Sequence, residues 1–316
     1  MLRYVIRRLL ALVLVVFGVT VAVFLMVRLI PGDVVTVLLG SEGVADPQRL
    51  ALMRHYFGLD QPLYLQYAEW LGNILHGDFG VSLMTGRPIL PDVLARLPVT
   101  LQLTVMAMLL SLLVAVPAGI LSAARPDSLA DSAVRVAALI GLSVPNFWLA
   151  TLLVLFVSLY WRVLPTSGYV PLSVDPLGSV RSLLLPALSL ALPNLAIVLR
   201  MTRSSMLEVL RQEYIVTARS KGLRERLVIA RHALRNALIP IVTVAGIQVG
   251  YLLGGAIVIE QIFALPGLGT LILGAITQRD YPLLQAGVLF IAVAFPLVNL
   301  VVDLLYAYLD PKIRYG

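Results

Sequence analysis

The sequence predicts an all-α integral membrane protein, on three observations. Of its 316 residues, 59% are hydrophobic and only 13% charged, too little polar surface to cover a soluble domain of this length. Six stretches reach or approach the roughly 20 apolar residues that a helix needs to cross a bilayer core of about 30 Å. The basic residues gather on alternate sides of those stretches, as cytoplasmic loops require. The expected architecture is a single transmembrane domain over 1–316, with spans at about 9–30, 98–121, 134–160, 183–202, 237–259 and 283–309.

The first span, "LLALVLVVFGVTVAVFLMVRLI", is longer than a signal-peptide core and runs into "PGD" rather than a small-residue cleavage site. It reads as a retained helix. An extracytoplasmic segment over 31–97 follows. Within it, "QPLYLQYAEWLGNILHG" puts Leu63, Tyr67, Trp70, Leu71 and Ile74 on one helical face, a pattern that packs on neighbouring helices or the membrane surface more often than it binds a ligand. The second and third spans hold Pro117 and Pro145. The fourth carries Pro186, Pro193 and Asn194 and gives the weakest signal. The fifth and sixth hold Pro240 and Pro296, and each proline frees backbone groups that a neighbour or a wet cavity must satisfy.

Sidedness follows from charge. With six spans and the amino terminus inside, sixteen of the 24 Lys and Arg residues fall on the inner side; of the rest, only Arg162, Arg181 and Arg279 lie in short outer loops. Both termini are therefore expected in the cytoplasm. The net charge of +7 is thus a matter of topology, and its segregation argues against nucleic acid as a partner.

Between spans four and five, the stretch from Arg200 to Arg235 holds nine positive and three negative residues. At about 2.5–3.5 kcal/mol for each Arg or Lys at a helix centre, it cannot cross the bilayer. A cytoplasmic segment over 203–236 is expected, with one helix over about 204–220, a break at Gly222 and a second, amphipathic helix over about 223–236. In the second helix Leu223, Leu227, Ala230, Leu234 and Leu238 form an apolar stripe, while Arg224, Arg231 and Arg235 line another face. Such an element suits two partners equally: anionic lipid or a groove in a cytoplasmic protein.

Several chemistries are excluded. There is no cysteine, so no thiolate nucleophile or Cys-based metal site exists. Neither Lys221 nor Lys312 follows a glycine, so no phosphate-cradling G-x-x-x-x-G-K-[ST] loop is present. His55, His76 and His232 all lie outside the spans, which leaves an intramembrane Ser–His hydrolase without its base. Ion-coupled carriers hold their ions on buried carboxylates, and the spans offer only Asp303, near the cytoplasmic end of its helix, with Glu260 at the outer end of the fifth. Asp303 is expected to pair with an arginine or backbone at a helix contact. Asn146, Asn194, Gln248, Glu260 and Asn299 are candidates for lining a translocation path, with interhelical hydrogen bonding the plainer role for each.

The segments "EYIVTARSKGL" and "HALRNALIP", with "MLRYVIRRLL", "IPGD", "GLDQPLYLQY", "HGDFGVSL", "RMTRSSMLEVL" and "LPGLGTLILGAITQRDYP", closely resemble the B-type permease subunit of ABC importers for dipeptides, oligopeptides, nickel and glutathione. The resemblance covers nearly the whole chain. Aligned on Gly222, Val216, Thr217 and Ala218 stand at the Glu-Ala-Ala triplet of the general importer motif, so only the last residue agrees, and Ile239–Pro240 stands a few residues farther from the glycine. The resemblance implies an importer permease fold in a prokaryotic inner membrane, with no catalytic, cofactor or metal residues in this chain. It implies coupling to the ATPase through Ala218, Gly222, Leu223, Leu227, Arg231, His232, Arg235, Asn236 and Pro240. The implied partners are a second permease subunit, two ATP-binding subunits carrying ATP and magnesium, an extracytoplasmic binding protein and lipid. Within that class peptides are favoured over nickel or glutathione. A membrane scaffold or receptor with a lipid-binding basic helix is the reading from another class.

Overall fold

A computed structural model describes residues 2–29, 35, 47–56 and 58–309. "IPGD" at 30–33, together with Lys312 and Arg314, lies outside the described residues. The regular elements among those described are helices: α1 (Leu2–Leu29), α2 (Pro47–Tyr56), α3 (Leu63–Leu75), α4 (Ile89–Ala124), α5 (Leu129–Ser143), α6 (Asn146–Tyr160), α7 (Pro176–Leu210), α8 (Glu213–Ser220), α9 (Glu225–Ile262), α10 (Leu268–Thr277) and α11 (Tyr281–Leu309). Among the described residues, α1, α4, α7, α9 and α11 are long and apolar enough to span a membrane, and α5 with α6 forms a bent pair. The described residues of the six expected stretches are helical, apart from a break within the third.

The third span departs from expectation. Instead of one helix over 134–160, α5 and α6 meet at 95°. The cause is Pro145, whose ring disfavours helical backbone at the residue before it; Val144 is extended at φ −83°, ψ 119°. The pair still makes one crossing. At its start Asp131 meets Arg203 near the inner end of α7. At its finish the Ser158 hydroxyl donates to the Pro165 carbonyl, and in the loop beyond it the Tyr169 hydroxyl donates to Gln102 and the Gly168 N–H to the Phe263 carbonyl.

The chain divides into two compact units. The first comprises residues 1–9, 99–266 and 297–316. Its centre is α7, the weakest span by sequence and the most buried in the structure, with 67% of its most apolar stretch inside the protein. Burial explains its polarity. Asn194 donates to the Leu190 carbonyl at 2.7 Å, and the Ser111 hydroxyl of α4 lies 2.9 Å from the Ala191 carbonyl, so neighbours satisfy groups that lipid could not. Leu103, Leu183, Leu190, Leu252 and Ile259 form one core around α7; Val198, Met206, Ile215, Val228 and Ala237 form another.

Close approach of α4 to α7 depends on Gly119. A Cβ there would sit 2.6 Å from Thr202 Cβ and 3.0 Å from the Leu199 carbonyl oxygen. Gly119→Val is expected to cost about 1–3 kcal/mol through overpacking and to lower the unfolding midpoint of detergent-extracted protein. Gly18→Ala, where nothing lies within 4 Å, should leave the midpoint unchanged or slightly raised. Equal midpoints for Gly119→Val and the unmodified protein would contradict the contact.

The second unit comprises residues 10–98 and 267–296. The aromatic face of α3 packs on α1, as one of its expected alternatives had it: Tyr67 stacks edge-on against Phe24 at 5.4 Å, Trp70 lies 5.7 Å from the same ring, and the Tyr67 and Thr20 hydroxyls are 2.8 Å apart. Buried Asp280 ties two segments far apart in sequence. It accepts from the Ser82 hydroxyl at 2.5 Å and from the N–H groups of Leu83 and Leu283 at 3.2 and 3.3 Å.

Candidate cavity and cytoplasmic segment

Three of the five polar span candidates meet. Asn146 at the start of α6, Asn194 in the middle of α7 and Gln248 in α9 line a cavity of about 430 Å³ with Pro193, Tyr251 and Gly255. The break at Pro145 aims the first turn of α6 at α7 and α9. The Asn146 side-chain oxygen accepts from the neighbouring Phe147 N–H at 2.8 Å, which leaves its amide donors free for the cavity. Gln248 uses neither polar atom in a hydrogen bond among the described residues. The lining sets three amides and Tyr251 among apolar side chains such as Leu190, Ile197 and Leu252, and none is charged. It can exchange hydrogen bonds with a passing solute while offering no ion pair to hold it, the balance that conduction needs.

The other two candidates lie elsewhere. Glu260 is wholly buried and accepts from the Thr100 hydroxyl at 2.6 Å, a bond between α9 and α4. Asn299 is half-buried on α11 and does not line the cavity. Asp303 pairs with Arg8 at 3.0 Å, the expected helix contact.

At the inner end, the segment expected to be one helix over 204–220 is two. α7 stops at Leu210, and α8 begins at Glu213 after Gln212 turns extended at ψ 147°. The break at Gly222 is as expected. Its φ is +75°, left-handed backbone that a glycine adopts without strain, and nothing stands within 4 Å of where a Cβ would be. Across this turn Arg219 grips Glu225 with two N–H groups, at 2.6 and 3.1 Å, and the guanidinium holds the Glu225 carboxyl below the usual carboxylate range. Asn236 donates to the Tyr214 hydroxyl at 2.6 Å, a second tie between α8 and α9.

The apolar stripe of α9 is shifted from its expected register. Val228, Ala233, Ala237 and Ile241 are buried, together with Ile215 and Ala218 of α8, against Val198 and Met206 of α7. Leu227 is 41% exposed and Ala230 exposed, while Leu223, Leu234 and Leu238 are half-buried. The cause is a π-helical turn over Val228–Ala233, which inserts one residue and rotates everything before it relative to everything after. One side of the segment is thereby fixed to the protein. The other presents Leu227 among exposed Arg224, Arg231 and Arg235, with His232 and Pro240 half-buried.

Comparison with known proteins assigns this arrangement. A family model described as "Binding-protein-dependent transport system inner membrane component" matches residues 115–315, and its companion for the amino-terminal part matches residues 1–104. The chain belongs to this family. Members similar to it include the dipeptide transport system permease protein DppB of Escherichia coli (strain K12), 41% identical over 338 residues with 100% of this chain and 99% of that protein covered. DppB of Alkalihalophilus pseudofirmus is 42% identical over 335 residues, with both chains wholly covered. Among solved structures, the inward-facing MetNI methionine ABC transporter shares the fold, with a TM-score of 0.58 at 16% identity over 70% of this chain and 98% of that one. This chain is therefore a multi-pass inner membrane component with an importer permease fold.

In this family member one polar cluster went unread in the sequence. Asp131, wholly buried, accepts from Arg203 Nε and Nη2 at 2.7 and 2.9 Å, from the Ser122 hydroxyl and from the Asp127 N–H at 3.1 Å. It joins α4, α5 and α7 at the inner end. A partial signal existed: "SLAD" at 128–131 has the spacing of a helix cap, and the Ser128 hydroxyl does accept from the Asp131 N–H. Nothing local pointed to Arg203, 72 residues away.

Proposed function

We propose that this chain is one membrane-spanning half of the pathway of an ATP-driven importer for di- and oligopeptides. A second permease subunit completes the pathway, one of two ATP-binding subunits seats on the exposed face of the segment after Gly222, and an extracytoplasmic binding protein delivers the substrate. ATP and magnesium belong to those ATP-binding subunits. Dipeptide transport by DppB, named for relatives that match over the full chain, supports the substrate class. The observation that carries the mechanism is that one compact unit holds both the uncharged, amide-bearing cavity and, at its inner end, a helix buried on one side and bare on the other. The ATPase seated there pushes on the bare side; the buried side passes the displacement to α7 and α9, which frame the cavity.

Extraction in mild detergent is expected to recover two ATP-binding chains and a second permease in fixed ratio with this one. Reproducible recovery of the chain alone would refute the importer. Gln248→Glu, which places a charge in an uncharged cavity, is expected to lower uptake of an acidic dipeptide such as Ala-Asp at least tenfold more than uptake of Ala-Lys, a difference of about 1.4 kcal/mol. Equal loss for both would assign the cavity to packing.

A further inference from the structure

We propose that a pocket at the extracytoplasmic end of the second unit is a separate ligand site for short zwitterionic peptides, engaged before they reach the cavity between the spans. The proposal rests on the peptide-import reading. The pocket, about 310 Å³, is lined by Arg28 at the end of α1, Trp70 and Asn73 of α3, Asp78 in the following loop, and Tyr281 and Gln285 at the start of α11. None of these residues contributes to the cavity at Asn146, Asn194 and Gln248.

Three observations point to a ligand. The first is an unmet donor: the Gln285 carboxamide nitrogen is buried and has no hydrogen-bond partner, although buried polar groups are almost always satisfied. The second is the charge set. One wall carries a guanidinium that donates from Nε to Gln66 at 3.0 Å and lies 4.8 Å over the Phe24 ring, leaving its terminal N–H groups for another acceptor. Another carries the Asp78 carboxylate, one oxygen of which accepts from the Gly80 N–H at 2.8 Å. A simple anion or cation would leave one of these charges unmatched. A free peptide matches both, with its carboxylate toward Arg28, its ammonium toward Asp78 and a peptide carbonyl for Gln285; the faces of Trp70 and Tyr281 take apolar side chains. The third is rigidity: Asp280 pins the loop at Ser82 and Leu83 to the first turn of α11, so two walls are held in place before any ligand arrives. The volume is near the lower limit of small-molecule sites, which suits two or three residues rather than a long peptide.

The test uses the assembled complex in nanodiscs without its binding protein, titrated with Ala-Ala and followed by tryptophan fluorescence and calorimetry. A saturable signal is expected, with the fluorescence change removed by Trp70→Phe. Acetylating the amino terminus and amidating the carboxyl terminus of the peptide should weaken binding at least tenfold, as should Gln285→Leu. Asp78→Asn, at an exposed position where folding is not at stake, should erase the preference for a free amino terminus. No saturable heat or fluorescence change, or binding indifferent to capping and to Asp78→Asn, would overturn the site. Uptake of Ala-Ala by the same complex, with binding protein and ATP restored, separates the two readings: import without pocket binding removes the site alone, and binding without import removes the importer reading alone.

Discussion

Asp131→Ala is expected to destabilise the protein by about 3–5 kcal/mol, the range for breaking one partner out of a buried ion pair. Arg203 would lose a two-pronged acceptor while its side chain stays only 22% exposed, and Ser122 would lose its acceptor as well. Arg135, 3.6 Å from the same carboxylate but half exposed, can turn to solvent and adds little. Arg203→Ala should fall in the same range, because it leaves Asp131 charged and wholly buried. Arg203→Lys should also be damaging, since an ammonium cannot reproduce the paired Nε and Nη2 contacts. The double variant should cost clearly less than the sum of the two. Unfolding midpoints of detergent-extracted protein at one fixed heating rate provide the comparison. A midpoint for Asp131→Ala equal to that of the unmodified protein would remove the clamp from the account. Function should fall with it, because the clamp fixes the start of α5 to α7 at the first residue of the expected cytoplasmic segment, seven residues before α7 ends.

The spans were legible because they rest on a local quantity, apolar length. The break at Gly222 was legible for a similar reason, since a left-handed turn between two periodic stretches announces itself. What escaped depends on contacts distant in sequence or on a local break in helical period. The angle between α5 and α6 follows from Pro145, which was counted among the span prolines without its effect on Val144 being drawn. The identity of α7 as the central helix was hidden by the very prolines and amide that centrality permits. Asn146, Asn194 and Gln248 were picked by chemistry alone, as polar residues in apolar spans, and the fold brings these three together. The same criterion picked Glu260, which instead accepts from Thr100, because polarity says that a partner is needed but not which one.

The register shift in α9 yields the sharpest functional test, because adjacent residues have opposite surroundings. Leu227 is 41% exposed and Val228 is wholly buried. Leu227→Glu is expected to leave the unfolding midpoint unchanged and to reduce ATP-driven uptake more than tenfold, since it removes an apolar anchor worth about 1.5–3 kcal/mol when buried by a partner and sets a charge in its place. Val228→Glu should do the reverse in order of cause: the midpoint drops first, and uptake is lost because the segment no longer holds to α7. An apolar stripe of uninterrupted period would have placed both effects at Leu227. If Leu227→Glu and Arg231→Glu both retain full uptake, the bare face is not the docking face. The lipid-binding alternative gives a different signature. There each basic residue contributes about 1 kcal/mol near an anionic surface, so Arg231→Glu would matter more than Leu227→Gln, and the loss would vanish in vesicles of zwitterionic lipid. A protein cleft instead makes Leu227→Gln the more damaging of the two in either lipid, because a desolvated apolar contact at the centre of an interface does not depend on the charge of the bilayer beside it.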